Sequence, residues 1–144
     1  MKKEKTMTMY ISDVHKLFHN KIKLEMEKKG YNNTYFKIFM LLSCRGQASQ
    51  LDIVKFTHLK APTISITLKN MEQEGYITRE VDPNDQRSVI VKLTDHGIET
   101  DKNIRKIFKE EENKLKSLFS EEEVNIIISY VTRMIEYLES EEIN

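Results

Sequence analysis

Apolar residues recur at steps of three and four over residues 8–29, where Tyr10, Ile11, Val14, Leu17, Phe18 and Ile22 mark one face of a helix that Gly30 ends. A second helix is expected from Asn33 or Thr34 and includes Tyr35, Phe36, Ile38, Phe39, Leu41 and Leu42. Apolar on nearly every face, it should form the buried centre of the domain, and Arg45-Gly46 stops it. Ser49 opens a third helix, with Asp52 three positions on in the manner of a capping box and Leu51, Ile53, Val54 and Phe56 as its apolar side. Thr57-His58-Leu59-Lys60 makes a tight connection to a fourth. Pro62 suits the first turn of that helix, because its missing N–H would be unpaired there anyway. Ile64, Leu68 and Met71 form its inward stripe, and Gly75 closes it.

The period then changes. Tyr76 to Val81 and Val89 to Leu93 read as two short strands around a polar turn, Asp82 to Ser88, with Arg87 at its tip. Thr94 opens a fifth helix whose apolar side is Ile98, Ile104, Ile107, Phe108, Leu115, Leu118 and Phe119. Residues 95–119 lack proline, so one long helix or a kinked pair is expected. Ser120-Glu121-Glu122-Glu123 is a capping box with extra negative charge in the first turn of a sixth helix. Its Val124, Ile127, Ile128, Val131, Ile135 and Leu138 form a stripe with no obvious partner inside a small domain, and pairing with a second subunit would bury it.

Two short helices joined by a few residues make a helix-turn-helix, with the second as reader. The fold class is therefore mainly α with a small β-hairpin wing. Expected segments are an N-terminal dimerisation helix over 1–32, a winged helix-turn-helix over 33–94 and C-terminal dimerisation helices over 95–144. The reader helix can lie in a major groove of DNA, and an arginine on a stiff hairpin is narrow enough to enter the adjacent minor groove.

Charge refines this picture. The net charge is zero, which by itself argues against a nucleic-acid partner. The distribution is uneven, with ten Lys/Arg against four Asp/Glu in residues 1–50, six against six in 51–93, and seven against thirteen in 94–144. A basic first third and an acidic last third suggest ends that pack together, within or between subunits. The middle holds few cations, so one copy should bind DNA weakly and two copies should act together. Lys60, Lys69 and Arg79 are the candidate phosphate contacts. No run of eighteen apolar residues exists to span a membrane. The basic start Met1-Lys2-Lys3-Glu4-Lys5 lacks the apolar core and small-residue cleavage site of a secretory signal. One cysteine, with no internal disulfide available, fits a reducing cytoplasm.

Order and motif together resemble the MarR (multiple antibiotic resistance regulator) family of winged-helix transcription regulators over about the whole chain. The resemblance is carried by Leu68-x-x-Met71-x-x-x-Gly75-Tyr76-Ile77-x-Arg79 and by Asp85-x-Arg87-x-x-x-Val91-x-Leu93-Thr94-x-x-Gly97, in register. It implies an obligate homodimer built from the first and last helices, a double-stranded palindromic operator, and release by a small-molecule effector or by thiol oxidation. It also implies that Arg87 enters the minor groove, that Asp85 braces the wing, and that Thr63 and Ser65, one turn into a reader helix begun by Pro62, contact phosphates or base edges. Two positions depart from the pattern. Ile66 stands where arginine is common and is suited instead to a thymine methyl group, and Gln86 replaces a second basic wing residue.

Other residues invite chemistry. Cys44, at the end of the apolar second helix, is expected to be a buried structural thiol; the alternative is a thiol-responsive regulator using Cys44, with Arg45 beside it. His15 and His19, four apart, share a helix face but lack an evident acid or thiol partner, so surface histidines and no metal are expected. Glu110-Glu111-Glu112 reads as a solvated face. The family resemblance implies a ligand pocket between the dimer helices and the winged domain. Tyr10, His15, Phe18, Tyr35, Phe36 and Phe39 are aromatic candidates for lining it, and core filling accounts for them equally well. No Gly-rich phosphate loop, nucleophile elbow or paired metal motif occurs, so neither an enzyme nor a cofactor is expected. The remaining rival is a winged helix used for protein contact alone.

Overall fold

The computed structural model describes residues 3–142; Met1, Lys2, Ile143 and Asn144, at the outer ends of the expected dimerisation segments, lie outside the described residues. The elements run α1 (Met7–Lys28), a 3-10 turn (Asn33–Tyr35), α2 (Phe36–Arg45), β1 (Gln47–Ser49), α3 (Gln50–Thr57), α4 (Ala61–Gln73), β2 (Ile77–Asp82), β3 (Asp85–Leu93), α5 (Asp95–Lys116) and α6 (Glu121–Glu142). Within the chain these fall into two compact units that divide after Phe108.

In the first unit the core is centred on α2, where Ile38, Phe39, Leu41 and Leu42 are buried. Ile22 and Met26 of α1, Ile53 of α3, Ile64, Leu68 and Met71 of α4, and Ile104 and Ile107 of α5 close around it. Burying each such side chain contributes roughly 1.5–3 kcal/mol, which is why the apolar stripes, more than local propensity, fix where these helices lie. Phe18 packs edge-on and Phe36 face-on against Phe108, with ring centroids 5.2 and 5.9 Å away, so α1, α2 and α5 share an aromatic seam.

The wing is a three-stranded antiparallel sheet in the order β1-β3-β2, larger than the two-stranded hairpin expected. Strand β1 pairs Gln47 with Lys92, Ala48 with Val91 and Ser49 with Ile90. Three residues are too few to show an alternating pattern, and buried Ala48 is the only one with an apolar side chain, so this strand carries no signal in the sequence. It is held by what flanks it. Gly46 sits at φ +79°, a left-handed conformation that turns the chain out of α2, and Ser49 is already the N-cap of α3.

Three other expectations need correction. Leu51 is 61% exposed and Phe56 is also exposed, because the inward side of α3 is made by Ile53, Val54 and Thr57. Cys44 is exposed rather than buried. The buried face of α2 comprises positions 38, 39, 41 and 42, and Cys44 follows Met40 by one turn on the opposite, outer side. Glu111 is not a solvated acid; its residue is 7% exposed and its carboxylate accepts a hydrogen bond from Lys114 Nζ at 2.7 Å.

The second unit comprises the end of α5, a short turn and α6. Ser120 caps α6 as expected: its hydroxyl accepts from the Glu123 N–H at 3.1 Å, and the Glu123 carboxylate accepts from the Ser120 N–H at 3.1 Å. No residue of α6 is buried among the described residues. Ile127, Ile128, Val131, Ile135 and Leu138 all remain exposed.

The junction after α4 explains the Leu-Thr-x-x-Gly part of the motif. Gly75, at φ +82°, ends the helix, and its carbonyl accepts a short hydrogen bond from the Thr94 hydroxyl. The Tyr76 carbonyl accepts from the Thr94 N–H at 3.0 Å, while Thr94 Oγ1 caps α5 by accepting from the Gly97 N–H at 3.0 Å. A Cβ at position 97 would lie 2.0 Å from the Tyr76 carbonyl oxygen. Backbone cannot yield there cheaply, so glycine is required. Gly97→Ala is expected to lower unfolding free energy by about 2–3 kcal/mol, seen as a lower urea midpoint at unchanged slope. An unchanged midpoint would mean that α5 shifts freely away from Tyr76.

Candidate functional site

The site is built on the two helices α3 and α4. The α3 N-terminus is fixed by a reciprocal capping box between Ser49 and Asp52, and hydrogen bonding of the Asp52 carboxyl with the Ser49 hydroxyl, and then with the Ser49 N–H, lowers its pKa. At its other end the buried Thr57 hydroxyl donates to the Ile53 carbonyl at 2.8 Å and accepts from the Leu59 N–H at 3.4 Å. His58 adopts the left-handed conformation at φ 57°, and the chain turns within three residues into α4. Lys60 is the N-cap of α4 and supplies no side-chain cap, so amide groups of the first turn are left free for an external acceptor.

Helix α4 has two opposed sides. Ile64, Leu68 and Met71 are each 0% exposed. Pro62, Thr63, Ser65, Ile66, Lys69 and Asn70 are exposed. The Thr67 hydroxyl is committed to the Thr63 carbonyl at 2.8 Å, whereas the side chains of Thr63, Ser65 and Asn70 make no hydrogen bond among the described residues.

At its far end α4 is steadied from two directions. The Tyr35 hydroxyl donates to Glu74 Oε1 at 2.6 Å, and Arg79 of β2 donates to Glu72 Oε1 at 3.1 Å. The Arg79 contact holds the Glu72 carboxyl below the usual carboxylate range. Arg79 is thus engaged inside the fold, with its Nε buried and unpartnered, unlike the exposed Lys60 and Lys69. Tyr76 stacks on His96 at 4.9 Å and meets Phe39 edge-on at 5.4 Å, which seats the start of the wing on the core.

Arg87 does not occupy the turn itself. Asp82 pairs directly with Asp85 around Pro83-Asn84, while Val81 pairs with Val89, so Gln86, Arg87 and Ser88 form a bulge with no registered partner. The sequence marks a polar turn but not its register, and the two-residue turn places the arginine just beyond it. Asp85 fixes the bulge by accepting the Arg87 N–H at 3.0 Å, and Asp82 accepts the Asn84 N–H at 2.9 Å. The Arg87 guanidinium is exposed and makes no ion pair among the described residues, so neither Asp82 nor Asp85 neutralises it.

A groove of about 500 Å³ separates the bulge from the helices, lined by Gln50, Leu51, Ala61, Asp85, Arg87 and Ser88 among others. Gln50 and Leu51 are thereby brought to the site, although the sequence pattern assigns Leu51 to the core. The signal available for them was position: both lie in the first turn after a capping box, next to a helix-turn-helix.

Residues expected to line a ligand pocket are dispersed within the single chain. Tyr35 and Phe39 are core residues, Phe18 and Phe36 pack on Phe108, and Tyr10 and His15 are exposed on α1. His15 and His19 lie 4.3 Å apart between ring centroids, and burial followed by the nearby His15 and Lys37 lowers the His19 pKa. No group of three or more potential metal ligands occurs among the described residues, and no described helix is long and apolar enough to cross a membrane.

The MarR family model matches residues 25–89, from the end of α1 into the wing bulge. The chain is 30% identical over 108 residues to the HTH-type transcriptional regulator YdgJ of Bacillus subtilis (strain 168), covering 73% of this chain and 64% of that protein. It spans between about half and two thirds of the length of the first curated relatives it matches. Among solved structures, an S. aureus MepR–DNA complex is similar at a TM-score of 0.75 and 28% identity, over 93% of this chain and 99% of that one. Apo MarR from E. coli shares the fold at a TM-score of 0.83 and 16% identity, over 92% of this chain and 98% of that one.

The contact that steadies α4 should also be visible in pH dependence. Burial, and then the hydrogen bond to Glu74, raise the Tyr35 pKa from 10.0 to about 12. The fold favours the neutral phenol, so the stabilisation is complete below pH 10 and is lost as pH rises through about 12. Tyr35→Phe should reduce stability by about 1 kcal/mol at neutral pH and flatten the decline of the urea midpoint above pH 10. An equally steep decline in the variant would remove Tyr35 as its source.

Proposed function

Because the chain belongs to the MarR family, we propose that it is a DNA-binding transcription regulator that acts as a homodimer on a palindromic operator in the cytoplasm, as a repressor. The observation that carries this reading is the pairing of an exposed polar face on α4 with an unneutralised arginine on a braced bulge. Each α4 enters a major groove, and each Arg87 reaches into the flanking minor groove. Asp85 sets the direction of that arginine through its backbone and makes no direct contact with phosphate. Lys60 and Lys69, at the start and on the outer side of α4, meet the phosphates, and Thr63 and Ser65 reach phosphates or base edges from the first turn begun by Pro62. Arg79 acts mainly by fixing the wing to α4, because Glu72 already holds it.

The exposed stripe of α6, with the exposed Val14 and Leu17 of α1, supports dimerisation through the first and last segments. Two-fold symmetry then demands inverted half-sites about one helical turn, ~10 bp, or a multiple of it apart. A small-molecule effector would act by changing the distance between the two reader helices, since a shift of a few ångströms loses register with the grooves.

Arg87→Ala should weaken operator binding roughly tenfold or more per half-site and lower the salt slope of the dimer by about 2, with unfolding unchanged. Undiminished affinity would remove Arg87 from the interface, and the lack of any salt-dependent binding to duplex DNA would instead identify a protein-contact module. In sedimentation the protein should run at about twice 17.1 kDa, and Ile128→Glu with Ile135→Glu should release monomers that retain the winged core but lose operator affinity. A wild-type monomer that binds the whole operator at full affinity would refute the dimeric mechanism.

A further inference from the structure

Ile66 is 63% exposed, and it lies two residues from both Ile64 and Leu68, each fully buried. Two residues turn an α-helix by about 200°, so Ile66 stands almost diametrically opposite the core stripe. Its neighbours at steps of three and four on that side are Pro62, Thr63, Lys69 and Asn70, all exposed. The branched apolar side chain therefore sits at the centre of the outward face within a polar surround. A protein-docking patch needs a contiguous apolar area, and this surround denies it one.

Helix α4 also contains no arginine, the side chain that most often reads guanine through O6 and N7. Lys69 is its one cation, at the edge of the face and suited to a phosphate. What remains at the centre is a methyl-bearing side chain and, one turn on, the Asn70 carboxamide without an intramolecular partner among the described residues. Thymine is the base that shows a methyl group in the major groove, and a carboxamide matches the N6–H donor and N7 acceptor of adenine.

We propose that each reader helix selects an A·T step, with Ile66 packed on a thymine 5-methyl group and Asn70 paired to the adenine N6 and N7 of that base pair or its neighbour. This rests on the DNA-binding reading above and specifies the base chemistry of the same surface. Ile66 is a specificity-determining residue and Lys69 contributes without preference.

The test begins with selection of bound duplexes from a random pool by the full-length protein, followed by replacement of single thymines with uracil, which removes only the methyl group. The expected result is a two-fold symmetric consensus with a fixed A·T pair in each half-site. Uracil at that thymine should weaken binding about fourfold per half-site, and Ile66→Ala should bind thymine and uracil duplexes equally. Asn70→Ala should lose roughly fivefold or more for the consensus while its affinity for unrelated DNA stays the same. A symmetric consensus in which every thymine tolerates uracil, or in which G·C pairs occupy the centre of the half-site, overturns the base assignment and leaves DNA binding intact. A pool from which nothing is enriched overturns both.

Discussion

The Tyr76 carbonyl is the point on which the working geometry depends. It accepts the Thr94 N–H, while the Thr94 hydroxyl reaches the neighbouring Gly75 carbonyl and also caps α5 through Gly97. Four elements therefore meet at two adjacent peptide groups: the end of α4, the bases of β2 and β3 and the start of α5. None of these groups is free to move alone, since each hydrogen bond satisfies an otherwise orphaned backbone position. Glycine at 97 allows the approach, and glycine at 75 allows the left-handed turn that starts it. The stacked pair Tyr76 and His96 covers the junction from the side. Helix α4 and the wing can keep a fixed spacing only if their common root is rigid, and this junction ties them together.

Features governed by local chemistry or by strong periodicity were legible in the sequence. The two serine capping boxes, the turn at Gly75 and the stripe Ile64, Leu68 and Met71 lie where their residue types require. The misreadings share a different cause. Strand β1 exists because β3 offers an edge to pair with, a non-local fact that its three residues do not encode. Leu51 reads as inward by residue type, although the helical phase set by Ile53 directs it toward the wing. Cys44 follows the same logic: α2 is apolar enough to look buried all round, yet its outer face is open at Met40 and Cys44. The bulge at Arg87 depends on whether Pro83-Asn84 or a longer segment makes the turn, and composition does not distinguish them. The candidate DNA-contact residues come mainly from the resemblance, and the structure adds their exposure and the lack of an ion pair at Arg87 among the described residues.

The charge pattern takes on a particular meaning in this geometry. The wing carries Glu80, Asp82 and Asp85 as well as Arg87, and Arg79 is held by Glu72. Few uncommitted cations remain near α4, so a single winged unit offers little counterion release and its attraction for a phosphate backbone is small. Weak general attraction has a benefit for discrimination. When phosphate contacts are few, base-edge contacts form a larger share of the binding free energy, and sequence-independent binding is weaker.

In the proposed dimer, that balance transfers control of occupancy to the assembly. Two weak, selective half-sites become a strong whole only when both readers arrive at the correct separation, because the second contact then forms without a further loss of translational freedom. In that proposed dimer the separation would be set by the joining segments, and α6 offers them an apolar stripe on which Ile127, Ile128, Val131, Ile135 and Leu138 are exposed. A ligand or modification acting on those helices need not approach DNA to change occupancy. It has only to favour a spacing that one reader can satisfy and its symmetry mate cannot. On the proposed dimeric reading, the small cation count near α4 and the exposed stripe of α6 act together, with affinity residing in the assembly and selectivity in the outer face of α4.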